Sequence, residues 1–170
     1  MTKMRTRAQL PRDMSVEEKY EKALALAKRG RRKHTKEVIP LLRAAADGGH
    51  PMAAHALATW YFFGIGLRKN FAIAVALEER AARSGIVEAI FNLAHAYETG
   101  EGVKKDQPKA VRLYRRAAAL GDAVAAYEVG RCLYYGIGTV RNERLGSKWV
   151  KKSKDMKKTT KAGRNLSRHR

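Results

Sequence analysis

A period of 36 residues governs this chain. Gly64-x-Gly66, Gly100-x-Gly102 and Gly136-x-Gly138 recur at that interval, as do Asn70, Asp106 and Asn142, and Ala53, Ala89 and Ala125. Gly85 matches Gly121, and Ala81-Ala82 matches Ala117-Ala118 and, further back, Ala45-Ala46. Self-similarity at such a spacing marks stacked supersecondary units, none of which buries its apolar face alone. Met52 to Phe63, Val87 to Thr99 and Asp122 to Tyr135 carry apolar residues at helical spacing, and each run stops at a glycine suited to the left-handed cap. Asn70, Asp106 and Asn142 then suit the N-cap of a second helix, ending near Gly85 or Gly121 in the first two units. The alanines let paired helices approach closely. The spacing therefore predicts an all-α fold, a short α-solenoid of stacked antiparallel helix pairs.

The flanks are less regular. Ser15-Val16-Glu17-Glu18 reads as a capping box opening a helix to about Arg29, and a second helix spans about Thr35 to Ala46, where Pro40 predicts a kink or a late start. Length alone predicts a single domain. Its parts are a basic arm over 1–14, an incomplete capping pair over 15–49, repeats over 50–157 and a basic tail over 158–170.

The middle unit, AIFNLAHAYETGEGVKKDQPKAVRLYRRAAALGD from Ala89 to Asp122, carries a G-x-G-V turn, a D-x-x-K-A helix start and an A-A-x-x-G-D ending. It resembles a unit of the Sel-one-like repeat family, relatives of the tetratricopeptide repeats, and looser copies extend the resemblance over about His50 to Val150. Departures are Ser84-Gly85-Ile86 in place of an ending G-D, and Gly146 where the other units have Ala74 and Ala110. The resemblance implies a scaffold or adaptor without chemistry of its own.

Charge supplies the second constraint. Lys plus Arg number 36 against 16 Asp plus Glu, a formal net charge of +20, which points to a polyanionic partner. Residues 1–49 hold 13 Lys/Arg against 6 Asp/Glu, residues 50–146 hold 13 against 9, and residues 147–170 hold 10 against 1. The basic excess thus sits at the ends. Three groups of cations stand out as candidate RNA-phosphate contacts: Lys28, Arg29, Arg31, Arg32 and Lys33 at the first turn; Arg112, Arg115 and Arg116 on one helix face; and Lys148, Lys151 and Lys152 at equivalent positions 36 residues on. Lys154, Lys157, Lys158, Lys161, Arg164, Arg168 and Arg170 continue the last group through a segment too poor in apolar residues to pack a core, and disorder is expected from Lys148 onward in a free chain.

Signals for catalysis are weak. The G-x-G pairs lack a third glycine and a preceding strand, so they read as turns rather than a dinucleotide fingerprint. His34, His50, His55, His95 and His169 show no metal-ligand spacing with one another or with Cys132, which reads as a small buried apolar residue. Glu78-Glu79 and Glu98 with Glu101 read as solvated helix faces and loops, and no acid–base pair stands out. No cofactor is expected. No apolar run reaches the roughly 18 residues a membrane span needs, and a lone cysteine suits a reducing intracellular compartment. The residues favour a structural subunit of a ribonucleoprotein, a ribosomal protein of mitochondrial type, with basic ends on rRNA and helices against neighbouring proteins. The competing class is a free-standing protein adaptor with acidic partners.

Overall fold

A computed structural model describes residues 14–30 and 33–166, with side chains as far as 159. Eight helices and no strand make up the described chain: α1 Val16–Lys28, α2 Thr35–Asp47, α3 Pro51–Phe63, α4 Phe71–Arg83, α5 Val87–Thr99, α6 Gln107–Ala119, α7 Ala123–Tyr135 and α8 Glu143–Leu166. They divide into two compact units, Met1–Ser84 with α1–α4 and Gly85–Arg170 with α5–α8. In each unit every helix packs on its successor, and short loops reverse the chain between them.

Most helices start at a capping side chain, α2 and α5 being the ones whose N-cap residues, His34 and Ile86, make no such bond. Asn70 Oδ1 accepts from the Ile73 amide at 3.0 Å, Asp106 Oδ1 from Lys109 at 2.9 Å and Asn142 Oδ1 from Leu145 at 2.9 Å. These residues also close the turn behind them. Their own amides donate to the carbonyls of Tyr61, Tyr97 and Leu133, each nine residues back in the preceding helix, at 3.0, 2.8 and 2.7 Å. Ser15 and Glu18 form the reciprocal capping box of α1. α3 begins differently: His50 Nδ1 accepts from the Ala53 amide at 3.1 Å, so the ring proton lies on Nε2 and is donated to Glu17 at 3.0 Å, while Tyr20 stacks on the ring at 4.2 Å. One histidine thereby caps α3 and ties it to α1.

The repeated alanines form the contacts between helices. Ala53, Ala89 and Ala125 are fully buried, as are Ala45 and Ala46, Ala81 and Ala82, and Ala117 and Ala118. Larger side chains, among them Leu42, Ile90, Val129 and Tyr114, fill the space these leave, each apolar side chain contributing about 1.5–3 kcal/mol by leaving water. Arg80 of α4 donates to the Ala46 carbonyl at the end of α2. In the other unit, a β-carbon built on Gly146 would lie 2.7 Å from the Gly130 carbonyl oxygen, so α7 and α8 cross with no room for a side chain at either position.

α2 begins at Thr35, where the sequence places it, so of the two effects expected of Pro40 the late start does not occur; the proline lies beyond the first turn and removes one internal hydrogen bond without ending the helix. Another expectation needs correction. The segment expected to be disordered from Lys148 onward is helical as far as Leu166, so α8 runs without interruption across the expected boundary at 157/158. Asn142 starts the helix, and Gly146, Trp149, Val150, Ser153 and Met156, which fall on one face at i, i+3, i+4, i+7 and i+10, are its least exposed positions. No proline interrupts the lysine-rich stretch that follows, and lysine is a good helix former. Most of the basic arm, 1–13, lies outside the described residues.

Gly64, Gly100 and Gly136 take the left-handed cap conformation, and Gly100 and Gly102 have φ of 86° and 74°. An alanine at each costs about 1–2 kcal/mol from the left-handed backbone alone. The double replacement should lower the thermal midpoint while leaving partner affinity at a temperature where the fold persists unchanged. Calorimetry and a binding titration on the same sample check this.

Candidate interaction surface

A charged network joins three helices at the centre of the second unit. Glu98 of α5 accepts from the Tyr114 hydroxyl of α6 at 2.9 Å and from Arg131 of α7 at 2.5 Å, and Arg131 Nε donates to Glu128 at 2.6 Å. Glu98 and Glu128 are 14% and 19% exposed, and the guanidinium satisfies both. Burial, and then Glu98, hold the Tyr114 phenol well above its ordinary range. Burial opposes the Arg131 charge, but the bonds to Glu98 and Glu128 outweigh it. The solvated reading of Glu98 is therefore overturned. Glu78 is buried as well, with Oε2 3.0 Å from His55 Nδ1, a pair that ties α3 to α4. Apart from Arg131 and Glu128, three apart on α7, these partners lie 16 to 33 positions apart, and sequence reasoning did not connect them.

Cys132 is buried as expected, and burial followed by the Glu98 charge pushes its thiol from 9.0 up to about 11. A thiol whose acid form the fold favours contributes stability that is complete below about pH 9 and is lost as pH rises through about 11. Alkylation at pH 8 should be slow in native protein and immediate in denaturant. The stability difference between wild type and Cys132→Ala should narrow between pH 9 and 11.

The cations singled out by sequence are distributed over both units. Lys28 ends α1, Arg29 caps it and Lys33 lies in the following turn, all three exposed, whereas Arg31 and Arg32 are outside the described residues. Arg112, Arg115 and Arg116 are exposed on α6, and Lys148, Lys151, Lys152, Lys154, Lys157 and Lys158 are exposed on α8. Lys152 Nζ stands 4.7 Å over the Trp149 ring, and Lys158 pairs with Asp155 at 4.0 Å. Lys161 and Arg164 fall on α8 in its undescribed side-chain stretch, and Arg168 and Arg170 lie beyond the described residues.

One further feature lies among these charges. A groove of about 390 Å³ between α7 and α8 runs beside the glycine crossing, lined by Tyr127, Tyr134, Tyr135, Ser147, Lys151 and Lys154. Tyr127, Tyr134 and Tyr135 are 44%, 37% and 67% exposed. Among the described residues no group of three or more His, Cys, Asp or Glu could hold a metal ion, and no helix is long and apolar enough to cross a membrane.

Successive helix pairs with αL-glycine ends, repeating polar caps and buried alanine contacts define a helical-repeat protein. The Sel1 repeat matches residues 51–86, 87–122 and 123–157, well over half of the chain, and the chain belongs to that family. Two solved structures are similar to it. One is c5321 of uropathogenic Escherichia coli, described as a protective antigen displaying an SLR fold, with a TM-score of 0.71 and 26% identity over 84% of this chain. The other is a Sel1 repeat protein from Oxalobacter formigenes, with a TM-score of 0.71 and 28% identity over 81% of this chain. The chain spans 33% of the first and 54% of the second. No curated protein matches.

Proposed function

We propose that this chain is a non-catalytic adaptor that holds acidic protein partners on its helical repeats. The observation that carries this reading is α8: six described lysines between 148 and 158 are exposed on a helix that contains one acid in that span, Asp155. Such a row raises the encounter rate with an acidic surface and fixes its register, whereas the adjoining groove offers aromatic area. The family supports a protein-binding scaffold. A second reading, a ribonucleoprotein subunit such as a mitochondrial ribosomal protein, is favoured by the concentration of charge in the terminal thirds of the sequence.

Recovery of the tagged chain from its own cells, with and without ribonuclease, separates the two. An adaptor retains acidic protein partners after ribonuclease, and a purified partner loses affinity when Lys148, Lys151 and Lys152 are changed to Glu. A ribonucleoprotein subunit instead co-sediments with RNA-containing particles and is released by ribonuclease. With about six phosphates neutralised, its affinity falls roughly 300-fold to 2,000-fold between about 50 and 200 mM salt. That pattern, with no ribonuclease-resistant partner, overturns the adaptor.

A further inference from the structure

The α7–α8 groove has an occupied counterpart in the same unit. Shifting its lining back by 36 residues gives Phe91 for Tyr127, Ala94 for Gly130, Glu98 for Tyr134, Val111 for Ser147, Tyr114 for Val150 and Ala118 for Lys154. Ala94, Val111, Tyr114 and Ala118 are all buried, and what lies against the α5–α6 pair is a helix: α7 packs on α6 and reaches α5 through Arg131 and Glu98. The groove at α7–α8 is thus built to the same plan as one that receives a helix, and among the described residues no helix follows it.

Two buried apolar positions of that plan have become polar or charged here. Val111 and Ala118, which α5–α6 buries, become Ser147 and Lys154, whereas Arg115 remains basic as Lys151. No carboxylate lines the groove, and its third cation, Arg131, is already held by Glu98 and Glu128. A neutral apolar helix would leave Lys151 and Lys154 desolvated without partners, and a basic one would be repelled. The three tyrosines offer apolar ring faces with polar tips, which suit an apolar stripe bordered by carboxylates.

We infer that the α7–α8 groove docks an amphipathic acidic helix of a partner protein, in the place where a further repeat would set its first helix. This deepens the adaptor reading and rests on it. The occupant lays apolar residues at i, i+4 and i+7 across Tyr127, Tyr134 and Tyr135, with Glu or Asp facing Lys151 and Lys154.

The test uses the full chain and a labelled helical peptide of about 18 residues, with leucine at i, i+4, i+7 and i+11 and glutamate and alanine elsewhere, read by fluorescence anisotropy near 0.1 M salt. Lys151→Glu with Lys154→Glu should weaken binding at least about tenfold. Lys104→Glu with Lys105→Glu, the same charge change on an exposed loop, should change it less than about twofold. Tyr134→Ser should weaken binding with no change of charge, and circular dichroism confirms that each variant is folded. The same peptide with lysine in place of glutamate should not bind. Equal weakening by both lysine pairs overturns the groove and leaves an adaptor whose acidic partners bind elsewhere. Displacement of the peptide by a 12-nucleotide oligouridylate that itself binds more tightly, and is lost in the groove variant, overturns the groove helix and the adaptor together. Self-association abolished by Tyr134→Ser would place a second copy there instead, and also overturns the proposal.

Discussion

Replacing Gly146 with alanine is expected to destabilise the second unit, even though alanine is what the other repeats carry at this position and is the better helix former by about 1 kcal/mol. The other repeats carry Ala58 and Ala94 at the position of Gly130, which Gly146 faces here. A methyl on Gly146 would meet the Gly130 carbonyl oxygen at 2.7 Å and the Tyr134 amide nitrogen at 2.9 Å. Both are backbone atoms of α7 and cannot rotate away, so α7 and α8 must separate. Overpacking of this kind costs about 1–3 kcal/mol net, occasionally more, which for a unit of this size lowers the thermal midpoint by roughly 5–20 °C. Gly163→Ala on the same helix should instead leave stability unchanged or raise it. Calorimetry on the two variants decides the matter; a stabilised Gly146→Ala would show that the helices part without penalty.

Changing Arg131 to methionine should have an effect of similar size for an electrostatic reason. The stem is conserved, but Glu98 and Glu128 lose the guanidinium that both contact, and Glu98 also accepts from Tyr114. Breaking one side of a buried pair costs about 3–5 kcal/mol, and the partial exposure of all three groups reduces this to about 2–3 kcal/mol. The midpoint of urea unfolding should fall accordingly. Adding Glu98→Gln to Arg131→Met removes one stranded charge yet keeps an acceptor for the Tyr114 hydroxyl, so the double variant should recover part of the loss. A double variant as weak as the sum of the singles would mean that the three groups do not act as a network.

Helix positions were legible to within about a residue because the chain marks both ends of most of them chemically. Asn70, Asp106 and Asn142 can satisfy the first amides, and Gly64, Gly100 and Gly136 can adopt the backbone that ends a helix, whatever else surrounds them. Glu98 and Glu78 were misread for the opposite reason. Their environment is set by Arg131 and His55 on other helices, and nothing local distinguishes them from the exposed Glu88. The late start at Pro40 is absent because one lost hydrogen bond is outweighed once α2 is packed on α1 and α3. For α8, composition dominated the expectation, and the spacing of Gly146, Trp149, Val150, Ser153 and Met156, which carries helical information, was read only as a shortage of apolar residues. The groove was present in the 36-residue comparison as the change from Val111 to Ser147 and from Ala118 to Lys154. It becomes a surface only when the structure shows that the earlier positions are covered.

The length of α8 sets up a helix–coil equilibrium. Its 24 residues span about 36 Å, against about 20 Å for the 13 of α7, and past Met156 no described side chain is buried. The packed turns serve as a ready nucleus, so the remaining residues need only propagate, with a factor near one per residue and no initiation penalty. Lys154 with Lys158, and Lys157 with Lys161, are like charges four apart and oppose that propagation by a few tenths of a kcal/mol per pair. Multivalent anions, or salt alone, relieve the repulsion and add turns. The end of this helix therefore lengthens or melts with the ionic strength and charge around it, while the repeats beneath stay fixed.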